Sequence, residues 1–141
     1  MMRSLLAVFA GIGLGAAGMA AVEHAGHGTV RTIAERDISE KLDGKDAKVS
    51  FVEVSLEPGE ANAPHRHPGP VFGYVLEGKF EWAINDEPAK VFKPGDTFYE
   101  PTGVLHRVSK SAATKGKTRV LAAVVYPRDA KQLVIPEPVK K

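Results

Sequence analysis

Cysteine is absent from this chain of 141 residues, and that lack removes disulfides, thiolate metal sites, cysteine nucleophiles and a lipid-anchored N-terminal cysteine together. A surplus of one charge is lacking as well. The formal net charge is +2, with 19 lysines and arginines scattered among 17 acidic residues, so no basic stripe tracks a phosphate backbone and no nucleic-acid partner is expected. Past residue 22 no helical period of useful length is found. No serine sits in a nucleophile-elbow setting, which leaves serine-hydrolase chemistry without support.

What is present suits one globular domain: 43% hydrophobic and 26% charged residues over a length that can bury a core without staples. Residues 1–21 differ in kind from the rest. Arg3 gives a positive start, Leu5 to Phe9 an apolar centre, and Gly18-Met19-Ala20-Ala21 a small-residue end, the layout of a secretory signal peptide. Cleavage is expected near Ala20 or Ala21, with export to the periplasm or the extracellular space and no stable membrane insertion once the leader is removed. The alternative, an uncleaved anchor, is disfavoured by the four glycines of the run. Gly13 to Gly18 formally matches a dinucleotide fingerprint, but no strand precedes it and no βαβ unit surrounds it.

Residues 22–46 read as a connector with a short first strand at Val30 to Ala34 and a loop from Asp37 to Asp46. His24 and His27 lie in its polar start and are expected to be solvated. Residues 47–127 then carry many short strands closed by Gly and Pro turns. Val52, Val54 and Leu56 alternate with polar neighbours, while Val49 and Phe51 sit on the opposite phase and suggest a bulge or burial of both faces near residues 51 and 52. Further strands follow at Val71 to Glu77, at Phe80 to Ile84, around Val91 and Phe92, at Thr97 to Glu100, at Leu105 to Ser109 and at Arg119 to Tyr126. Residues 128–141 are expected as an extended or frayed tail. The fold class is all-β, an antiparallel sandwich or barrel.

Chemistry concentrates in Pro64 to Gly78. His65 and His67, one residue apart, project to one side of an extended strand, whereas Arg66 projects to the other. His106 lies 39 residues beyond His67, after the turn Pro94-Gly95-Asp96. The strands between can fold it back onto the pair and complete a three-histidine grip for a metal ion.

These residues resemble the small single-domain cupins. Gly59, His65-Arg66-His67 and Gly78 match the first family motif, G-x5-H-x-H-x3,4-E-x6-G. Gly95, Pro101-Thr102-Gly103 and His106 match the second, G-x5-P-x-G-x2-H-x3-N, and 16 residues separate the two. The resemblance covers about Val49 to Tyr126. It implies a jelly-roll (double-stranded β-helix) cupin barrel with a divalent metal held inside near one end, a small-molecule ligand or substrate, and pairing into a homodimer.

Two positions depart from the pattern. Val71 and Phe72 stand where the motif glutamate is expected, and Lys110 where the final asparagine is. Glu100 is the replacement carboxylate: if Phe98 points inward, alternation brings Glu100 inward too, and a buried carboxylate is costly unless it meets a cation. The alternative is a solvent-facing strand end. The candidate metal set is therefore His65, His67, His106 and Glu100. Imidazoles with or without a carboxylate suit Fe, Mn, Ni, Cu or Zn and leave open positions for substrate, water or dioxygen. Two functions follow: a metal-dependent dioxygenase or related oxidoreductase acting on a small organic molecule, and a non-catalytic small-molecule-binding module.

Overall fold

Alternation decides the strands, and β9 (Thr118–Pro127) shows it most plainly: Thr118, Val120, Ala122, Val124 and Tyr126 are buried while their neighbours are only partly covered. The structure, a computed structural model, describes residues 28–138, so the leader, His24 and His27 lie outside the described residues. Ten strands occur among them and no helix. They are β1 (Thr29–Leu42), β2 (Lys45–Leu56), β3 (His65–Arg66), β4 (Val71–Glu77), β5 (Phe80–Ile84), β6 (Lys90–Phe92), β7 (Thr97–Glu100), β8 (His106–Ser111), β9 and β10 (Ile135–Pro136).

Two five-stranded antiparallel sheets face each other, in the orders β1-β2-β9-β4-β7 and β10-β3-β8-β5-β6, which is the expected jelly roll. Between them Leu56, Val75, Phe80, Trp82, Ile84, Phe98 and Val120 form one buried cluster, and Val52, Val71, Ala122, Val124 and Tyr126 another. Phe98 reaches the first cluster by lying over Gly73, its cross-strand partner. A β-carbon there would collide with the Phe98 ring.

Two local readings are corrected. The first strand does not stop at Ala34: β1 continues to Leu42, and Asp37 to Leu42 is strand rather than loop. The hairpin is closed by Asp43 and Gly44 alone, both at positive φ (51° and 77°), the geometry whose twist matches the flanking strands. The irregularity near residues 51 and 52 is present, but its extra residue is Ile33 on β1, opposite Phe51 and Val52. The tail is extended, one of the two expected states, and it is pinned rather than frayed. Ile135 and Pro136 pair with Arg66 and His65 to make β10 the outer strand of the second sheet.

Candidate metal centre

His65 is placed by strand pairing, since β3 sets it directly across from His106 on β8. The ring centroids of that pair lie 4.9 Å apart. His106 points inward because β8 carries a bulge: Ala83 pairs with Val108 but Ile84 pairs with His106, leaving Arg107 as the extra residue. Plain alternation would put His106 out of phase with Ser109, and the bulge brings both to the interior. Arg107 turns outward and donates to the carbonyls of Asn85 and Glu87.

His67 lies one residue past the end of β3, so strand alternation alone does not aim it. Its backbone carbonyl accepts from the Gly103 N–H (3.1 Å), and its Nδ1 meets the Leu133 carbonyl at 2.7 Å. His65 Nδ1 meets the Ala63 carbonyl at 2.8 Å. A carbonyl can only accept, so each Nδ1 carries its proton and each Nε2 keeps a lone pair. The two Nε2 atoms stand 3.2 Å apart.

Two lone pairs facing at that distance repel unless a cation sits between them. The three histidines each offer a ligand nitrogen within 4.8 Å of the others. Both ring nitrogens of His106 and Glu100 Oε2 are buried without a hydrogen-bond partner. A neutral His106 has one ring nitrogen with a free lone pair. Unpartnered buried lone pairs beside the facing His65 and His67 Nε2 atoms are what a metal ion satisfies, so these residues fit one.

Glu100 points inward as alternation predicts and is 2% exposed. Its Oε1 accepts from Trp82 Nε1 at 3.1 Å. The same oxygen is 3.1 Å from His106 Nδ1 without the alignment of a hydrogen bond, and Oε2 is 3.8 Å from His67 Nε2. Burial pushes the Glu100 carboxyl up to about 7 against the lowering effect of the Trp82 N–H. Burial likewise pushes His106 down to about 3 and His67 down to about 4, and lowers His65. The imidazoles are thus neutral at pH 7, the form that ligates metal.

Sequence reasoning missed the supports around this cluster. Trp82 shares the inward phase of Phe80 and Ile84, so its contact with Glu100 was within reach. The Leu133 carbonyl had no signal, because a backbone atom leaves none. Arg66 projects outward as expected but is not idle: it donates to Glu137 (2.9 and 3.2 Å) and to the Gly103 carbonyl (2.8 Å), clamping tail and second-motif loop to β3.

Above the cluster opens a cavity of about 570 Å³ whose walls come from both sheets and from Val134 and Pro136 of the tail. On the far side of the first sheet, Phe51, Phe72, Tyr74 and Tyr99 are exposed, so Tyr74 and Tyr99 take no part in the interior. No described helix is long and apolar enough to cross a membrane.

With this geometry in view, a family model described as "Cupin domain" matches residues 52–124. Germin-like protein subfamily T member 3 of Arabidopsis thaliana is 31% identical over 86 residues, which cover 57% of this chain and 38% of that protein. The chain thus spans about two fifths of the curated relative's length. Among solved structures, an oxalate oxidase in complex with the substrate analogue glycolate superposes with a TM-score of 0.51 at 25% identity, covering 57% of this chain and 43% of the other. An uncharacterized protein with a double-stranded β-helix domain from Klebsiella pneumoniae superposes with a TM-score of 0.60 at 19% identity, covering 82% and 90%, and shares the fold.

Proposed function

The chain belongs to the cupin family, whose model spans more than half of it, and from that premise we propose that it is an exported, metal-dependent oxidoreductase acting on a small organic molecule. The observation that carries this reading is the convergence of two Nε2 lone pairs and an unpartnered His106 on the wall of an apolar cavity. His65, His67 and His106 hold the ion, and Glu100 completes the set. When bound, a redox-active divalent ion supplies open positions for dioxygen or a substrate oxygen. The protein's own part is to keep the imidazoles neutral by burial, to fix His65 and His67 through the Ala63 and Leu133 carbonyls, and to wall one side of the cavity with Val134 and Pro136 of the tail. The likeness to an oxalate oxidase supports oxidoreductase chemistry.

Metal analysis of protein taken from its native compartment, followed by dioxygen-consumption assays with the metal so identified, tests the proposal. Absence of bound metal refutes it. Tight retention of a small molecule without turnover would favour the second reading, a binding module, which the apolar-lined cavity also supports. Export rests on the residues 1–21 leader, and N-terminal sequencing that begins near Ala21 or Val22 is the expected result. The exposed aromatic face of Phe51, Phe72, Tyr74 and Tyr99 supports a homodimer, since such patches mark contact surfaces. Sedimentation of wild type against Phe72→Asp distinguishes dimer from monomer.

A further inference from the structure

The cavity walls carry information about what the site accepts. Val52, Val54, Val71, Phe98, Val120 and Val124 line it, and no lysine or arginine is among the described residues that do. Its polar atoms gather at the floor, with His65, His67, His106 and Glu100. The one other polar wall, Asn62 and Ser109, is engaged with itself: Asn62 Nδ2 donates to Ser109 Oγ at 3.2 Å. Apolar surface continues outward to solvent, because Val30 of β1 and Val134 of the tail, each 43% exposed, stand at the cavity's edge.

We propose that this site takes molecules with an apolar body of several carbons and a single oxygen-bearing head directed at the metal, and that it disfavours small dicarboxylates. The inference rests on the metal reading above. With a divalent ion already half neutralised by Glu100, a singly charged head balances the site. A dicarboxylate leaves one negative charge in excess, and the described walls offer no cationic side chain to offset it; a buried charge without a partner is costly. A two-carbon acid would also leave most of the roughly 570 Å³ unfilled. An apolar body gains instead from every wall it covers, by about fourfold in affinity per buried methylene. Cavities of this size and lining suit ligands with many more carbons than oxalate.

A probe series with a constant head tests this. Protein loaded with the metal found in it is titrated with acetohydroxamate, hexanohydroxamate, benzohydroxamate and oxalate, followed by calorimetry and by the fluorescence of Trp82, the chain's single tryptophan. Hexanohydroxamate should bind more than tenfold tighter than acetohydroxamate, benzohydroxamate should also exceed acetohydroxamate, and oxalate should bind more weakly than either longer probe. Val54→Phe, which fills the cavity, should shrink the hexano-to-aceto ratio. Because that variant risks misfolding, Val30→Asp at the exposed edge provides a second test in the same direction. Equal affinities along the series, or oxalate binding tightest to metal-loaded protein, would overturn the proposal while leaving the metal site intact. If the protein takes up no metal, the metal reading fails separately. Methyl NMR shifts of Val54 and Val120 on adding 1-hexanol or oxalate to metal-free protein then decide: response to hexanol alone supports the apolar-body class, and response to oxalate alone refutes it.

Discussion

Glu100 lies 3.1 Å from His106 Nδ1 and 3.8 Å from His67 Nε2 and holds a proton where an ordinary glutamate would not, so if it serves the proposed metal site, metal uptake should be visible as proton release. With the carboxyl pushed up to about 7 by burial, metal-free protein at pH 6 carries about 0.9 proton on Glu100, and at pH 8 about 0.1. His67 at about 4 and His106 at about 3 are already neutral at both pH values and have almost none to give. A divalent ion beside the carboxylate favours its charged form, so binding expels that proton. Titration calorimetry at pH 6 in buffers of differing ionisation enthalpy should therefore count close to one proton released per metal. At pH 8 it should count close to none. Glu100→Gln preserves the side chain's shape, removes the titration, and should abolish the pH 6 release, isolating Glu100 from any residual contribution of His65. Weaker metal binding in the Gln variant would make Glu100 a ligand; retained affinity with lost proton release would place it beside the ligands instead. An unchanged proton count in the Gln variant would refute the placement of Glu100 at the ion.

Three further outcomes follow from the same geometry. Single changes of His65, His67 or His106 to Ala should each cost more metal affinity than the roughly 10–100-fold typical of losing an outer partner, with His24→Ala neutral, as read by competition with a chromogenic chelator; full occupancy in His106→Ala would break the constellation. Truncation after Lys131 removes the Leu133 carbonyl and the Glu137 clamp and should itself cost about 10–100-fold in affinity, with Glu137→Gln a smaller loss in the same direction; wild-type affinity in both would mean the tail does not fix His67. Metal-free protein should gain stability as pH rises from about 3 to 6.5, because the unfolded chain protonates His67 and His106 over a range in which the folded one keeps them neutral. Glu100 opposes this between 4.5 and about 7, since there the folded state holds the extra proton. Two protons against one give a net slope of about 1.4 kcal/mol per pH unit near pH 5, to which the lowered His65 adds in the same direction. The rise flattens towards pH 7 as the unfolded histidines lose their protons, and Glu100→Gln should steepen it. A flat thermal-melting profile across that range would contradict the burial of these groups.

What the sequence made legible divides along a physical line. Side chains whose direction follows from local alternation were readable: Phe98 and Glu100 turn inward together on β7, and β9 alternates without interruption. β1 was not, because TVRTIAERDISEKL is a mostly exposed outer strand that owes its extent to pairing with β2, a non-local fact, and its breaks in register blur any period. His106 was readable as a ligand type but not as a direction, since its inward aim depends on the extra residue Arg107 in β8. The tail was least legible of all. Its contribution to the centre is a carbonyl oxygen, which every residue possesses, delivered by a β10–β3 pairing of two residues and a guanidinium clamp across a sequence separation of 71. The residue types that can bind metal are written in the motif, whereas the tautomer that lets His67 bind through Nε2 is set by backbone arriving from the far end of the chain. Apolar substitutions such as Leu133→Met, which keep both the carbonyl that meets His67 and the packing of this side chain on the Val52–Val124 cluster, should accordingly be tolerated, while changes at Glu137 should be resisted, because its side chain holds that carbonyl's segment in place.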